Sequence, residues 1–109
     1  MEKIYFDMAA TTPIDNQVIE FMNKIMCQTF GNPSSIHKFG QESHSVIERA
    51  RIQLATSLNC EPGELIFTGS GSESNNLVLQ GILNPGDHVI TSSYEHPAVL
   101  NVVKSLNEK

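Results

Sequence analysis

Val18, Phe21, Met22, Ile25 and Met26 recur at the i, i+3, i+4, i+7, i+8 spacing of one helix face. Thr12-Pro13-Ile14-Asp15 just before them has the form of a helix start. Thr can cap, Pro suits the first helical position, and an acid follows three residues after the cap. Gly31-Asn32-Pro33 is expected to end this helix and to open a polar loop reaching Gly40. A second helix is predicted from about Gln41 to Asn59, with Ile47, Ala50, Leu54 and Leu58 on its apolar face. Leu65-Ile66-Phe67-Thr68 and His88-Val89-Ile90-Thr91-Ser92 are short and continuous enough to read as strands. Each leads into a helical pattern, the first through Leu77, Val78, Gly81 and Ile82, the second through Val99, Leu100, Val103 and Leu106. Asn84-Pro85-Gly86-Asp87 separates them with strong turn chemistry.

Strand, helix, strand, helix with short connections predicts a parallel α/β unit. Two strands cannot by themselves make a parallel sheet covered on both faces. The pattern also stops after Leu106-Asn107-Glu108-Lys109, where another strand would normally follow. The expectation is therefore the opening part of a larger α/β domain, incomplete for the whole fold.

Composition narrows the function. The 109 residues are 39% hydrophobic and 17% charged, too apolar for a disordered chain. Seven basic residues against twelve acidic ones give a net charge of -5. That balance disfavours nucleic acid and anionic membranes as partners. No apolar run approaches the roughly 18–20 residues of a bilayer span. The opening Met1–Asp7 lacks the pattern of a signal peptide. Cys27 and Cys60 have no metal or redox spacing, so they read as reduced thiols and the expected compartment is the cytoplasm. Cys27, beside the apolar helix face, reads as a packing residue.

Two places carry candidate chemistry. Thr68-Gly69-Ser70-Gly71-Ser72-Glu73-Ser74-Asn75-Asn76 lies between a strand and a helix. Glycines there bring backbone N–H groups close to a ligand, and a helix N-terminus favours a phosphate. Ser72 would add its hydroxyl. No Lys follows the glycines, so this is not a Walker A loop, and Ser74 stands where a dinucleotide fingerprint has its third Gly. The alternative is a plain strand-to-helix turn capped by Ser72 or Ser74. His96, in Tyr94-Glu95-His96-Pro97, follows the second strand at the sheet edge where ligands bind. Its imidazole would stack on a ring or move protons, or would be an exposed loop histidine before a helix-initiating Pro. His37 and His44 lack the acid or Cys that would complete a metal set.

Four collinear blocks resemble the N-terminal part of the cysteine desulfurases, pyridoxal-phosphate (PLP) enzymes of the class V aminotransferase group. They are Tyr5–Pro13, Phe30–His37, Ile66–Asn76, and His88–Ser92 with Glu95–Leu100. The resemblance implies an aminotransferase-like α/β fold (PLP-dependent transferase fold type I) of parallel strands with helices. Residues 1–12 would be an extended, polar N-terminal segment and 13–109 the first portion of the PLP-binding domain. It implies that Gly71 and Ser72 bind the cofactor phosphate. The family often has Thr where this chain has Ser72, and Ser keeps the hydroxyl. The family's Ser-Gly order is reversed here to Gly69-Ser70. His96 would be catalytic, stacking on the pyridine ring and assisting proton transfer. Ala10, Thr11 and Asn32 are further candidates for lining the site.

The same resemblance implies L-cysteine as substrate, conversion to L-alanine, and persulfide transfer to a sulfur acceptor such as an iron–sulfur scaffold protein. It also implies a homodimer. The family's Schiff-base Lys and sulfur-accepting Cys match no Lys or Cys of these 109 residues, so the chain alone is expected to be inactive. Three rivals stand beside this expectation. One is a selenocysteine lyase or other class V enzyme. Another is a small nucleotide-binding module using Gly69-x-Gly71, with Glu95 on the ribose. The third is a non-catalytic partner of a complete desulfurase subunit.

Overall fold

The computed structural model describes residues 3–107. Its helices are α1 (Asn16–Gln28), α2 (Lys38–Leu58), α3 (Gly71–Ile82) and α4 (Pro97–Asn107), with a 3₁₀ turn at Pro62–Glu64. The chain divides into two compact units, Met1–Leu65 and Ile66–Lys109.

In the first unit α1 starts later than its sequence signal. Asp15 is the cap, its carboxylate accepting the N–H of Gln17 at 2.8 Å, and Thr12 lies outside the helix. Two cap-forming residues compete here, and the carboxylate is the one that reaches a free donor of the first turn. The helix ends at Gln28, with Thr29 returning its N–H to Ile25. No residue of α1 is buried, and Phe21 and Met26 are more than half exposed. Cys27 is exposed as well, which corrects its reading as a packing residue.

The loop before α2 is tied to the helix start. Ser34 N–H and Ser35 N–H donate to the side chain and the carbonyl of Asn32, both at 2.9 Å. Gly40 is buried against this turn, and a Cβ on it would run into Ser35 O and lie 2.6 Å from Asn32 O. The rings of Phe30 and Phe39 stack at 5.4 Å. His37 caps α2 by accepting the Gly40 N–H on Nδ1 at 3.4 Å, so the helix begins three residues before its predicted start. Its buried positions are Gly40, Ser43 and Ala55, while Ile47, Leu54 and Leu58 of the expected face stay exposed. Asn59 ends α2 in the left-handed region at φ 55°, a conformation Asn tolerates better than most residues. Arg51 then reaches from α2 to the Leu65 carbonyl and to Glu48, which holds the chain after the 3₁₀ turn against the helix.

In the second unit α3 packs on α4, and Val102 is the buried residue of α4. Val99, Leu100, Val103 and Leu106 are half-buried, whereas Leu77, Val78 and Ile82 of α3 remain exposed. The turn between the helices forms as its chemistry demands. Asn84 N–H donates to Asp87 Oδ2 at 2.7 Å, Asp87 N–H returns to Asn84 O at 3.0 Å, and Gly86 takes φ 93°.

The two expected strands are not formed: among the described residues there is no strand. Leu65 has extended backbone at φ -98°, ψ 128°, but a strand exists only when a neighbouring segment supplies its ladder. Among the described residues no strand forms at 65–68 or 88–92, and Ile66 and Ile90 are 71% and 90% exposed. The described residues thus do not show the parallel-strand part of the expected fold. No helix among the described residues is long and apolar enough to cross a membrane.

Candidate functional site

The loop into α3 is closed by its own side chains. Ser70, in extended backbone at φ -166°, ψ 161°, is the N-cap, and its Oγ accepts the Glu73 N–H at 3.2 Å. Glu73 Oε2 accepts the Gly69 N–H at 2.6 Å. Thr68 and Ser74 share a hydrogen bond at 2.6 Å between their hydroxyls, and Thr68 Oγ1 also donates to Ser70 O at 3.1 Å. The cap is therefore Ser70, not Ser72 or Ser74. The N–H groups of Gly71 and Ser72 and the Ser72 hydroxyl make no hydrogen bond among the described residues. They are donors at the positive end of a helix, the arrangement that receives an anion.

His96 is held at the start of α4. Its carbonyl accepts from Val99 N–H at 2.8 Å and Leu100 N–H at 3.2 Å, and its Nδ1 accepts from Ala98 N–H at 3.1 Å. With Nδ1 an acceptor, the neutral ring carries its proton on Nε2, the tautomer this hydrogen bond assigns. Pro97 begins the helix, where its missing N–H costs nothing.

Ser72 and His96 line one open cleft of about 440 Å³ between α3 and α4, with Asn76, Gln80, Asn101 and Ser105 along its length. Its volume is in the range of small-molecule sites. One wall ends in unused hydrogen-bond donors and the other begins with an imidazole. This donor set suits an anionic group at the α3 end and a planar ring or a transferable proton at the α4 end. Glu95 is not among the lining residues; its carboxylate accepts the Ser92 hydroxyl at 3.1 Å, so it is engaged away from the ribose role of a nucleotide module.

Gly71, Ser72 and His96 thus belong to the second unit. Ala10, Thr11 and Asn32 belong to the first, each in a closed turn. Tyr5 Oη bridges Asp7 O and Thr11 O at 2.9 and 3.0 Å, and Ala10 N–H donates to Asp7 O at 3.0 Å. Asn32 has its side-chain oxygen engaged by Ser34, so its visible role is to shape the loop before α2. Two further residues shape this region. Glu73 was legible in the Ser70-x-x-Glu73 spacing of a capping box. Asn76 has no such signal; it lines the cleft because it stands one turn after Ser72 and donates to Ser72 O at 2.8 Å. Among the described residues no cluster of three His, Cys, Asp or Glu is placed to hold a metal ion.

Residues 4–109 match the aminotransferase class-V family. The chain belongs to that family. Individual class-V relatives agree with each other in name. The chain is 45% identical to the "Cysteine desulfurase IscS" of Dictyoglomus turgidum, over 90% of this chain and 26% of the relative. It is 44% identical to the "Putative cysteine desulfurase IscS 1" of Bacillus subtilis, over 97% of this chain and 29% of the relative. It is also 42% identical to the "Cysteine desulfurase IscS 1" of Archaeoglobus fulgidus, over 96% and 28%. A solved structure titled "NIFS-LIKE PROTEIN" superposes with a TM-score of 0.83 at 35% identity, covering 91% of this chain and 28% of that one. The aminotransferase-like fold of this class-V chain is therefore shared with a solved relative, and the chain spans between a quarter and a third of its relatives' length.

Proposed function

We propose that this class-V chain is the N-terminal portion of a PLP-dependent cysteine desulfurase, in which it binds the cofactor phosphate and presents His96 to the ring. The observation that carries the proposal is the single cleft shared by the unused donors of Ser72 and the imidazole of His96. A phosphate monoester on a planar ring matches that donor set at both ends. Gly71 N–H, Ser72 N–H and Ser72 Oγ would hold the phosphate, and the partial positive charge of the α3 N-terminus adds to them. The names of the relatives support the substrate.

When bound, PLP supplies an electron sink for bonds around the amino-bearing carbon of its substrate. This chain's part is binding and proton handling. His96 is oriented by the Ala98 N–H on Nδ1, which leaves Nε2–H as the atom that gives or takes a proton. Lys104 of α4 is not among the residues lining the cleft, so it is not placed to anchor PLP there. The reaction would take the sulfur of L-cysteine, leave L-alanine, and pass a persulfide to an acceptor such as an iron–sulfur scaffold protein. A homodimeric enzyme in the cytoplasm and a parallel sheet built on segments 65–68 and 88–92 belong to the same reading.

The test is the intact protein, purified from the cells that make it and given L-cysteine with a thiol reductant. Alanine and sulfide appearing in equal amounts is the expected result, and a Ser72→Ala variant retains about tenfold less PLP, the loss of one phosphate hydrogen bond. No alanine from a PLP-loaded protein overturns the proposal.

A further inference from the structure

The side chains that close the Thr68–Ser74 loop and the groups left open there are separate sets. Thr68, Ser70, Glu73 and Ser74 engage each other or nearby backbone, while the N–H groups of Gly71 and Ser72 and the Ser72 hydroxyl donate to nothing among the described residues. Glu73 is the odd member of the first set. It places a carboxylate on the same helix turn that the cofactor reading assigns to a doubly charged phosphate, and like charges in one site oppose binding. A role based on its charge would work against that ligand.

Its geometry gives it another role. Oε2 takes the Gly69 N–H at 2.6 Å while Ser70 Oγ takes the Glu73 N–H at 3.2 Å. The two bonds are reciprocal as in a capping box, with the acid reaching one residue further back than the cap. The approach is close, since a Cβ on Gly69 would lie 3.1 Å from the same Oε2. Together they use up the donors of Gly69 and Glu73. The donors that stay unused at this helix start are then those of Gly71 and Ser72.

We infer that Glu73 is a positioning residue for the phosphate end of the cleft, acting as the hydrogen-bond acceptor that closes the Gly69 turn and not through its charge. The inference rests on the cofactor reading above. Glu73→Gln keeps an oxygen acceptor and removes the charge, whereas Glu73→Ala removes both. PLP titration of the intact protein is expected to show affinity lowered about tenfold in Glu73→Ala, the scale of one charge-assisted hydrogen bond. In Glu73→Gln it should equal or exceed that of the parent. Without ligand, hydrogen exchange at the Gly69 amide should speed up in Glu73→Ala and stay slow in Glu73→Gln, a signature that loss of charge alone would not produce. Parental affinity in Glu73→Ala, or a Gln variant as weak as the Ala variant, overturns the inference and leaves the cofactor reading standing. A parent protein that takes up no PLP overturns the cofactor reading and the inference with it.

Discussion

His96 caps α4 with one ring nitrogen, and the proposed function gives the rest of the ring a second role; substitution separates the two. Its Nδ1 caps α4 through Ala98 N–H, which leaves Nε2 outside the cap. His96→Ala removes the cap and is expected to lower stability by about 1 kcal/mol, the usual cost of losing an N-cap side chain. His96→Asn keeps an acceptor at the cap and should restore most of that stability in urea denaturation, yet it has no imidazole for a ring or a proton. An Asn variant as unstable as the Ala variant would remove the capping role. Ser72 and His96 were legible as candidates because Gly, Ser and His stood at element boundaries. The choice of cap was not. Ser70, Ser72 and Ser74 offer the same hydroxyl at two-residue spacing, and only the extended backbone at Ser70 decides among them.

At the scale of elements, what was read correctly is what local bonding controls. All four helices fall where the periodicity and turn residues put them, within a few residues at their ends. The shifts came from rival caps, Asp15 over Thr12 and His37 ahead of Gln41. The close packing of the loop before α2 was invisible in the pattern, because it depends on how near Gly40 comes to the carbonyls of Ser35 and Asn32. Gly40→Ala is therefore expected to destabilise the first unit by about 2–3 kcal/mol, the scale of a forced overpacking. Gly63→Ala, where a Cβ meets nothing within 4 Å, should leave stability unchanged. Equal melting behaviour of the two variants would refute this account of the loop.

At the scale of the whole molecule, the chain presents more surface than its length requires. Its accessible area is 9594 Å². Two separate compact bodies of the lengths of its units would present about 7200 Å². Large apolar side chains such as Phe6, Ile36 and Ile90 are each at least 90% exposed. Where such side chains form a contiguous patch, they favour association. The 109-residue polypeptide by itself is expected to bind the dye ANS and to associate as its concentration is raised. A monomer by sedimentation with no dye binding would show that these faces are covered by rearrangement within the chain.

The amino-acid sequence alone determined the helices, the Asn84–Asp87 turn, and the choice of Gly71, Ser72 and His96 as candidates. Those features depend on bonds between neighbours in the chain, i to i+4 in a helix and i to i+3 in a turn, so periodicity and cap chemistry suffice to place them. The tertiary structure decided which faces are buried, which serine caps α3, and that Ser72 and His96 share one cleft. It also decided that residues 65–68 and 88–92 form no strand among the described residues. A strand's hydrogen bonds and a site's second wall both come from elsewhere in space, and the pattern of a segment does not say whether that partner is there.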